Sequence, residues 1–384
     1  MSSRVAAVDA VAEQRAAYVH IPFCRRRCPY CDFAVVDMST AEIDIAGYVA
    51  AVQAEMAMEP LWQPLHAINL GGGTPSALDP GQVGSLLDTL HGRFGVTDDA
   101  EVSIEANPED WTLDYAAALR AVGVNRVSLG IQSFSHSVLR YLGRLHTPKQ
   151  GRAAIAAGRQ GGIDSINLDL IFGSPEESFD SWRRTVTAAL AAEPDHISIY
   201  ALTVERGTAL SRSVQAGAAG PDNDDLADKY EYFATKAAAE GFVHYEVSNW
   251  AQPGHECRYN QITWAHGEYI AFGVGAHGYR SGLRTRNVRR LDRYLEAVTA
   301  GTRPLAGTER LGGWERERER LFVGLRRISG VAAGDLGGEF LRSPDGRRLV
   351  DAGVLRSDDG RLVVADPLLT DAVARELLAF TPGT

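Results

Sequence analysis

The chain has 384 residues, of which 45% are hydrophobic, enough for one large core and a smaller second one. A formal net charge of −10 disfavours a general nucleic-acid binder, a class that is usually basic. No run of about eighteen apolar residues reads as a membrane span, and the first sixteen residues, with Asp9 and Glu13, do not read as a secretion signal.

Residues 1–16 read as a flexible N-terminal segment. Short apolar, β-branched runs follow at 17–21, 67–70, 102–105, 126–130, 165–171 and 196–202, each ending in Gly, Pro or a polar residue. Stretches of helical period separate them at 43–59, 80–94, 113–122, 137–142, 149–160 and 179–191. Strands alternating with helices imply βαβ units and a parallel sheet. Six units are too few for a closed eightfold barrel. The expected fold is therefore α/β, a partial (β/α)6 TIM-like barrel over 17–204, with an open doubly wound sheet as the alternative. Residues 205–221 read as a polar connection and 225–240 as a helix, within an extension that runs to 308. From 309 to 384 a compact tail is expected, with helices at 314–328, 337–341 and 370–378. Asp358-Asp359-Gly360 between two short apolar runs reads as a hairpin turn. That combination predicts an α+β, winged-helix-like module.

The segment Tyr18-Val-His-Ile-Pro-Phe-Cys24-Arg-Arg-Arg-Cys28-Pro-Tyr-Cys31-Asp-Phe33 holds three of the four cysteines, and Cys257 is the fourth. Three thiolates can hold three irons of a four-iron cluster and leave the fourth iron open to a small molecule. A structural zinc site is the alternative and would recruit Cys257 or a histidine such as His20 as its further ligand. Four cysteines are too few for a disulfide framework, and reduced cysteines point to the cytoplasm. The remaining unusual residues fall where strands end, the ligand face of parallel α/β architectures. Gly71–Gly73 let the backbone curl closely around a ligand, or simply make a tight turn. Glu105 and Asp169 suit ribose hydroxyls, or a cap or buried ion pair. Gln132 and Arg144 extend the same polar wall.

These stretches resemble radical S-adenosylmethionine (SAM) enzymes, and within them the HemN/HemW group. The likeness rests on Tyr-Val-His-Ile-Pro-Phe-Cys with its CxxxCxxC spacing, on Gly-Gly-Gly-Thr-Pro-Ser, and on Arg126-Val-Ser-Leu-Gly-Ile-Gln-Ser-Phe134, Asn167-Leu-Asp-Leu-Ile-Phe-Gly173, Tyr245-Glu-Val-Ser-Asn-Trp250 and Gly275-Ala-His-Gly278. It runs from Tyr18 over nearly the whole chain. It implies that Cys24, Cys28 and Cys31 hold a [4Fe-4S] cluster whose open iron binds SAM, which an electron then cleaves to a 5′-deoxyadenosyl radical. By motif position it implies that Tyr18, Gly72 and Glu105 hold one SAM. Gly73, Thr74, Gln132, Arg144 and Asp169 match positions that hold a second SAM, and Ala201 lies over the adenine.

The coproporphyrinogen oxidase branch carries a further cysteine two residues past the third, where this chain has Phe33. Cys31-Asp-Phe33 instead resembles the heme-chaperone branch, which binds heme and delivers it to respiratory enzymes. A radical methyltransferase on the same scaffold is a further alternative. The chaperone branch places a histidine, tied to heme binding, where this chain has Tyr259 in Cys257-Arg-Tyr-Asn-Gln. Tyrosinate can ligate ferric heme, so Tyr259, Asn260 and His277 are the heme candidates, with His255 and His266 as other histidines of the region. Arg284, Arg286, Arg289, Arg290 and Arg293 form a basic cluster that fits heme propionates, an acidic membrane surface or plain solvation. The alternating charges of 315–320 read as intrahelical pairs. Expected partners are heme, heme-accepting proteins and an electron donor, but no nucleic acid. A peripheral membrane contact and a homodimer stay open.

Overall fold

A computed structural model describes residues 10–40 and 43–382. Residues 1–9 of the expected N-terminal segment lie outside the described residues, and 10–16 hold a 3-10 turn, Val11–Glu13, and the start of the first strand. Six strands follow chain order and pair in parallel: β1 (Arg15–Ile21), β2 (Leu65–Gly72), β3 (Val96–Ala106), β4 (Arg126–Gln132), β5 (Ser165–Phe172) and β6 (His196–Ala201). Between them run α1 (Ile45–Met58), α2 (Pro80–Phe94), α3 (Leu113–Ala121), α4 (His136–Tyr141), α5 (Pro148–Gln160) and α6 (Phe179–Leu190). Local chemistry sets the helix starts. Asp79, Thr112, Thr147 and Ser178 each accept a first-turn backbone N–H.

The strands are two-faced, because successive side chains alternate across a sheet. One face carries Ile68, Leu70, Ile104, Val127, Leu129, Ile166, Leu168 and Ile197, all buried in one core with Leu86, Leu90, Leu119, Ile155, Trp182 and Val186 of the helices. Each such side chain contributes roughly 1.5–3 kcal/mol on full burial. The other face is polar. Register pairs Asn69 with Ser103, Ser103 with Arg126, Glu105 with Ser128, Ser128 with Asn167, Asn167 with His196, and Asp169 with Ser198.

Residues beyond 204 extend the same sheet at both ends. Here lie α7 (Ala209–Gln215), α8 (Asn223–Ala239), β7 (Val243–Glu246), β8 (Asn249–Ala251), α9 (Arg258–Trp264), β9 (Glu268–Phe272), β10 (His277–Arg280), β11 (Leu283–Asn287), α10 (Leu291–Thr299) and β12 (Leu305–Arg310). β8 pairs antiparallel with β6, and β9 pairs parallel with the other side of β1. Among the described residues the order is β12-β11-β10-β9-β1-β2-β3-β4-β5-β6-β8-β7. The expected polar connection after 204 contains a helix instead. Thr208 caps α7, and Leu210 anchors it among Val138, Leu142, Ile171 and Leu202. One turn of apolar anchoring is too short to show as a period.

The C-terminal module has its own core of Leu321, Phe340, Leu355, Leu362, Val373 and Leu377. It comprises α11 (Gly313–Gly324), β13 (Val331–Ala332), α12 (Gly334–Arg342), α13 (Pro344–Asp351), β14 (Leu355–Asp358), β15 (Arg361–Val364) and α14 (Thr370–Ala379). β14 and β15 form the expected hairpin through Asp359 and Gly360, both at positive φ, and β13 adds a third antiparallel strand. The charges on α11 are only partly intrahelical. Arg320 pairs with Glu317, but Glu319 reaches Arg284 of β11 at 3.1 Å. Among the described residues no helix is long and apolar enough to cross a membrane.

Candidate functional site

The polar faces of β2 to β6 enclose a cavity of about 490 Å³, within the range of small-molecule sites. Cys24, Cys28 and Cys31 stand at one wall and Gly72-Gly73-Thr74 at another. Glu105, Gln132, Arg144, Asp169, Ala201 and Asn260 complete the expected residues that line it.

The cysteine loop leaves β1 and is held at both ends. Phe23–Cys24 pair with Val36–Asp37, and the Cys31 N–H donates to the Cys28 carbonyl at 3.2 Å. His20 accepts from the Tyr18 hydroxyl at 3.0 Å and donates through Nε2 to the Ala34 carbonyl at 2.9 Å. Its ring lies so close to Gly72, itself at φ 111°, that a side chain there would collide with it. His20 therefore braces the loop and has no nitrogen left for a metal. A belt of donors faces the sulfurs. Thr74 Oγ1 donates to Cys24 Sγ at 3.6 Å, and Arg144 Nη1 to Cys28 Sγ at 3.7 Å. Asn107 joins the two: its amide donates to Thr74 Oγ1 at 3.0 Å, and its carbonyl accepts from Arg144 Nη2. Burial pushes the Cys24 thiol up to about 11 and raises that of Cys31, so a metal must displace protons there.

Burial also pushes Glu105 up to about 7, against a 2.9 Å hydrogen bond from the Gly72 N–H. Asp169 is raised by burial too, and accepts from Ser128 at 2.6 Å and Asn167 at 2.9 Å. A directional chain continues from it. Asn167 Oδ1 accepts from His196 Nδ1 at 2.6 Å, His196 Nε2 accepts from Tyr245 at 2.8 Å, and Tyr245 accepts from the Cys257 N–H at 3.3 Å. Burial holds His196 well below its ordinary pKa, hence neutral, which this chain requires. Gln132, at φ 61°, ends β4 with its Oε1 buried and unpartnered beside the cavity.

Comparison with known proteins fits this geometry. A family model for the radical SAM superfamily matches residues 18–189. A heme chaperone, HemW, of Mycobacterium tuberculosis is 41% identical over 94% of both chains. HemW of Bacillus subtilis is 34% identical over 86% of this chain and 88% of its own. The chain belongs to the HemW family of radical SAM proteins. A solved structure of Escherichia coli coproporphyrinogen III oxidase, HemN, superimposes with a TM-score of 0.81 over 97% of this chain and 93% of that one. At 23% identity it shows the shared fold.

Membership of a radical SAM family implies a [4Fe-4S] cluster and SAM, and the residues of this HemW-family chain fit both. All four cysteines are free. Among the described residues no three His, Cys, Asp or Glu side chains gather at one point as a single ion would require. In a cluster each thiolate takes a different iron. The glycine turn, the orphaned Gln132 amide and the two carboxylates offer hydrogen bonds to a polar ligand. Three expected residues stand apart from the cavity lining. Tyr18 lies behind Glu105, hydrogen-bonded to His20. Tyr259 packs between Tyr18 and Tyr269, 6.1 Å from each ring, and burial holds its phenol well above the usual range. His277 is exposed on β10. Cys257, by contrast, lines the cavity and is buried, with Sγ 3.5 Å from Glu101. The sequence reading missed Asn69, Ser103, Asn107, Ser128, Asn167 and His196. For all but Asn107, which follows the end of β3, the signal was available: polar residues at every second position of the strands.

Proposed function

We propose that this chain is a heme chaperone of HemW type, with Cys24, Cys28 and Cys31 holding the cluster, SAM in the barrel lumen and heme as cargo. The likeness to HemW along 94% of both chains carries this reading. Phe33, 56% exposed on the cysteine loop, supports it, because the oxidase branch places a cysteine there. Gly72 and Glu105 serve one SAM, and Tyr18, outside the cavity lining, backs them through its hydrogen bond to His20. Gly73, Thr74, Gln132, Arg144 and Asp169 serve a second, with Ala201 over the adenine, and Gln132 Oε1 and Arg144 Nε are the atoms with unmet hydrogen bonds. When bound, the cluster and SAM supply one-electron chemistry. The protein's residues bind, orient and exclude water: Arg144 and Thr74 donate toward sulfur, and Glu105 and Asp169 are buried acceptors. Free cysteines suit the cytoplasm. The partners required are an electron donor and heme-accepting proteins of respiratory chains.

Anaerobic reconstitution with three readouts tests this. About four irons per chain are expected, lost in Cys24→Ala and retained in Cys257→Ala, together with 5′-deoxyadenosine release and a Soret band on hemin titration. Coproporphyrinogen should remain unconverted. Absence of hemin binding in every redox state overturns the chaperone reading.

A further inference from the structure

Heme cargo needs an axial ligand, and the inference that follows rests on the chaperone reading. Tyr259 is a poor source, with its phenol buried between two rings and held protonated. Most of the ten histidines are engaged. His20 and His196 use both ring nitrogens, His244 lies flat on Trp250 at 4.0 Å, and His266 is wedged against Tyr279 with its Nε2 buried, 3.6 Å from Glu319 and closed to a ligand the size of heme. His277 is exposed on β10, with no hydrogen-bond partner for its ring among the described residues.

Its surroundings are built for an anion. Arg286 of β11 stands opposite His277 in register, so the two side chains share one face of the ladder. Arg289 lies along that face. A Cβ at Gly275 would sit 3.7 Å from Arg289 Cγ and 2.7 Å from Ala34 Cβ, which puts the cysteine loop against the same surface. Three of the five arginines of this region are neutralised: Arg284 by Glu309 and Glu319, Arg290 by Asp292, and Arg293 by Glu296. Arg286 and Arg289 have no carboxylate partner among the described residues, and Arg289 Nη2 donates only to the Asp32 carbonyl, at 2.6 Å. Partial burial, then the two guanidiniums, lower the pKa of His277 and favour the neutral, ligating imidazole. Phe33, beside Asp32, exposes an aromatic face on that loop.

We infer that His277 supplies the axial ligand to heme iron and that Arg286 and Arg289 pair with its two propionates, on the surface between β10–β11 and the cysteine loop. A neutral imidazole, two free cations and an exposed aromatic ring complement a flat iron chelate that carries two carboxylates. The seat is coupled to the thiols, since Arg289 cannot turn toward a propionate without changing its hold on Asp32, the neighbour of Cys31.

Hemin titration of the full chain tests this with four proteins: wild type, His277→Ala, Arg286→Gln/Arg289→Gln and Tyr259→Phe. His277→Ala should weaken binding at least tenfold and change the Soret and visible bands, and added imidazole should restore the wild-type spectrum. The double arginine variant should weaken hemin several-fold with the spectrum intact, and should bind hemin dimethyl ester as wild type does. Tyr259→Phe should match wild type. All positions but Tyr259 are exposed, so melting curves should be unchanged. If wild type binds hemin and His277→Ala binds it with the same affinity and spectrum, the assignment is wrong and the chaperone reading stands. If wild type binds none, the chaperone reading itself is wrong. Loss of binding to vesicles of anionic lipid in the arginine variant, with hemin affinity unchanged, would instead make this face a membrane contact and overturn the proposal.

Discussion

Asn107 touches no sulfur, yet it holds in place both donors that do. Its carbonyl takes Arg144 and its amide takes Thr74, so one side chain sets the aim of the hydrogen bonds to Cys28 and Cys24. Hydrogen bonds to sulfur favour the more negative, reduced state of a cluster. Asn107→Ala should therefore lower the reduction potential of the reconstituted protein. The expected shift is on the order of 50 mV, for about 1 kcal/mol of lost stabilisation in a one-electron couple. Redox titration followed by EPR reads this, with iron content unchanged. A potential equal to wild type would mean that Arg144 and Thr74 need no such bridge.

At the scale of elements, Glu55 decides how the extension meets the barrel. It lies buried on α1 and accepts from the Gly273 N–H at 2.8 Å, Asn287 at 2.6 Å and Tyr294 at 2.6 Å, so one carboxyl joins α1, the end of β11, α10 and the turn after β9. Burial raises it to about 7, against those three donors. A carboxyl raised in the folded state contributes stability that is whole below its unfolded value near 4.5 and is lost as pH rises through about 7. Wild type should thus lose ground to Glu55→Gln between pH 5 and pH 8, by up to about 1.4 kcal/mol per pH unit. Urea midpoints of the two proteins across that range check it, and a constant difference would show that the group does not titrate there. Much of the element order was legible beforehand. The six βα units of 17–204 and the Asp359-Gly360 hairpin followed from period and turn chemistry, and the three clustered cysteines from spacing. The strands β7 to β12 were not legible, because they are short and half-polar, and several find their partners far away in sequence. The lumen was only half legible. Glu105 and Asp169 stood out as charges, whereas Ser128, Asn167 and His196 gain meaning only once register sets them side by side.

For the whole molecule, the division of the chain near residue 204 does not divide the sheet. β9 covers the outer edge of β1, and β8 covers that of β6. A fragment of residues 17–204 would present both edges unpaired, and unpaired edges pair with other chains. It should sediment as large, heterogeneous species and fail to retain iron, while the full chain does neither. A monodisperse fragment that keeps its iron would show that the extension merely decorates the barrel. The C-terminal module is tied on by the Glu319–Arg284 pair and by two backbone hydrogen bonds, Val247 N–H to the Arg326 carbonyl and Ile328 N–H to the Tyr245 carbonyl, but it supplies no strand to the large sheet, so its removal should be tolerated better.

The pairing of β1 with β9 also sets a schedule for the ribosome. β1 and the cysteine loop are made first, but the strand that covers them follows about 250 residues later, which at 5–20 residues per second takes roughly 12–50 s. For that interval the nascent chain carries three neighbouring thiols without the Arg289 brace and with one side of β1 bare. During that window iron insertion or oxidation meets those sulfurs on a loop that lacks the bracing of the finished fold.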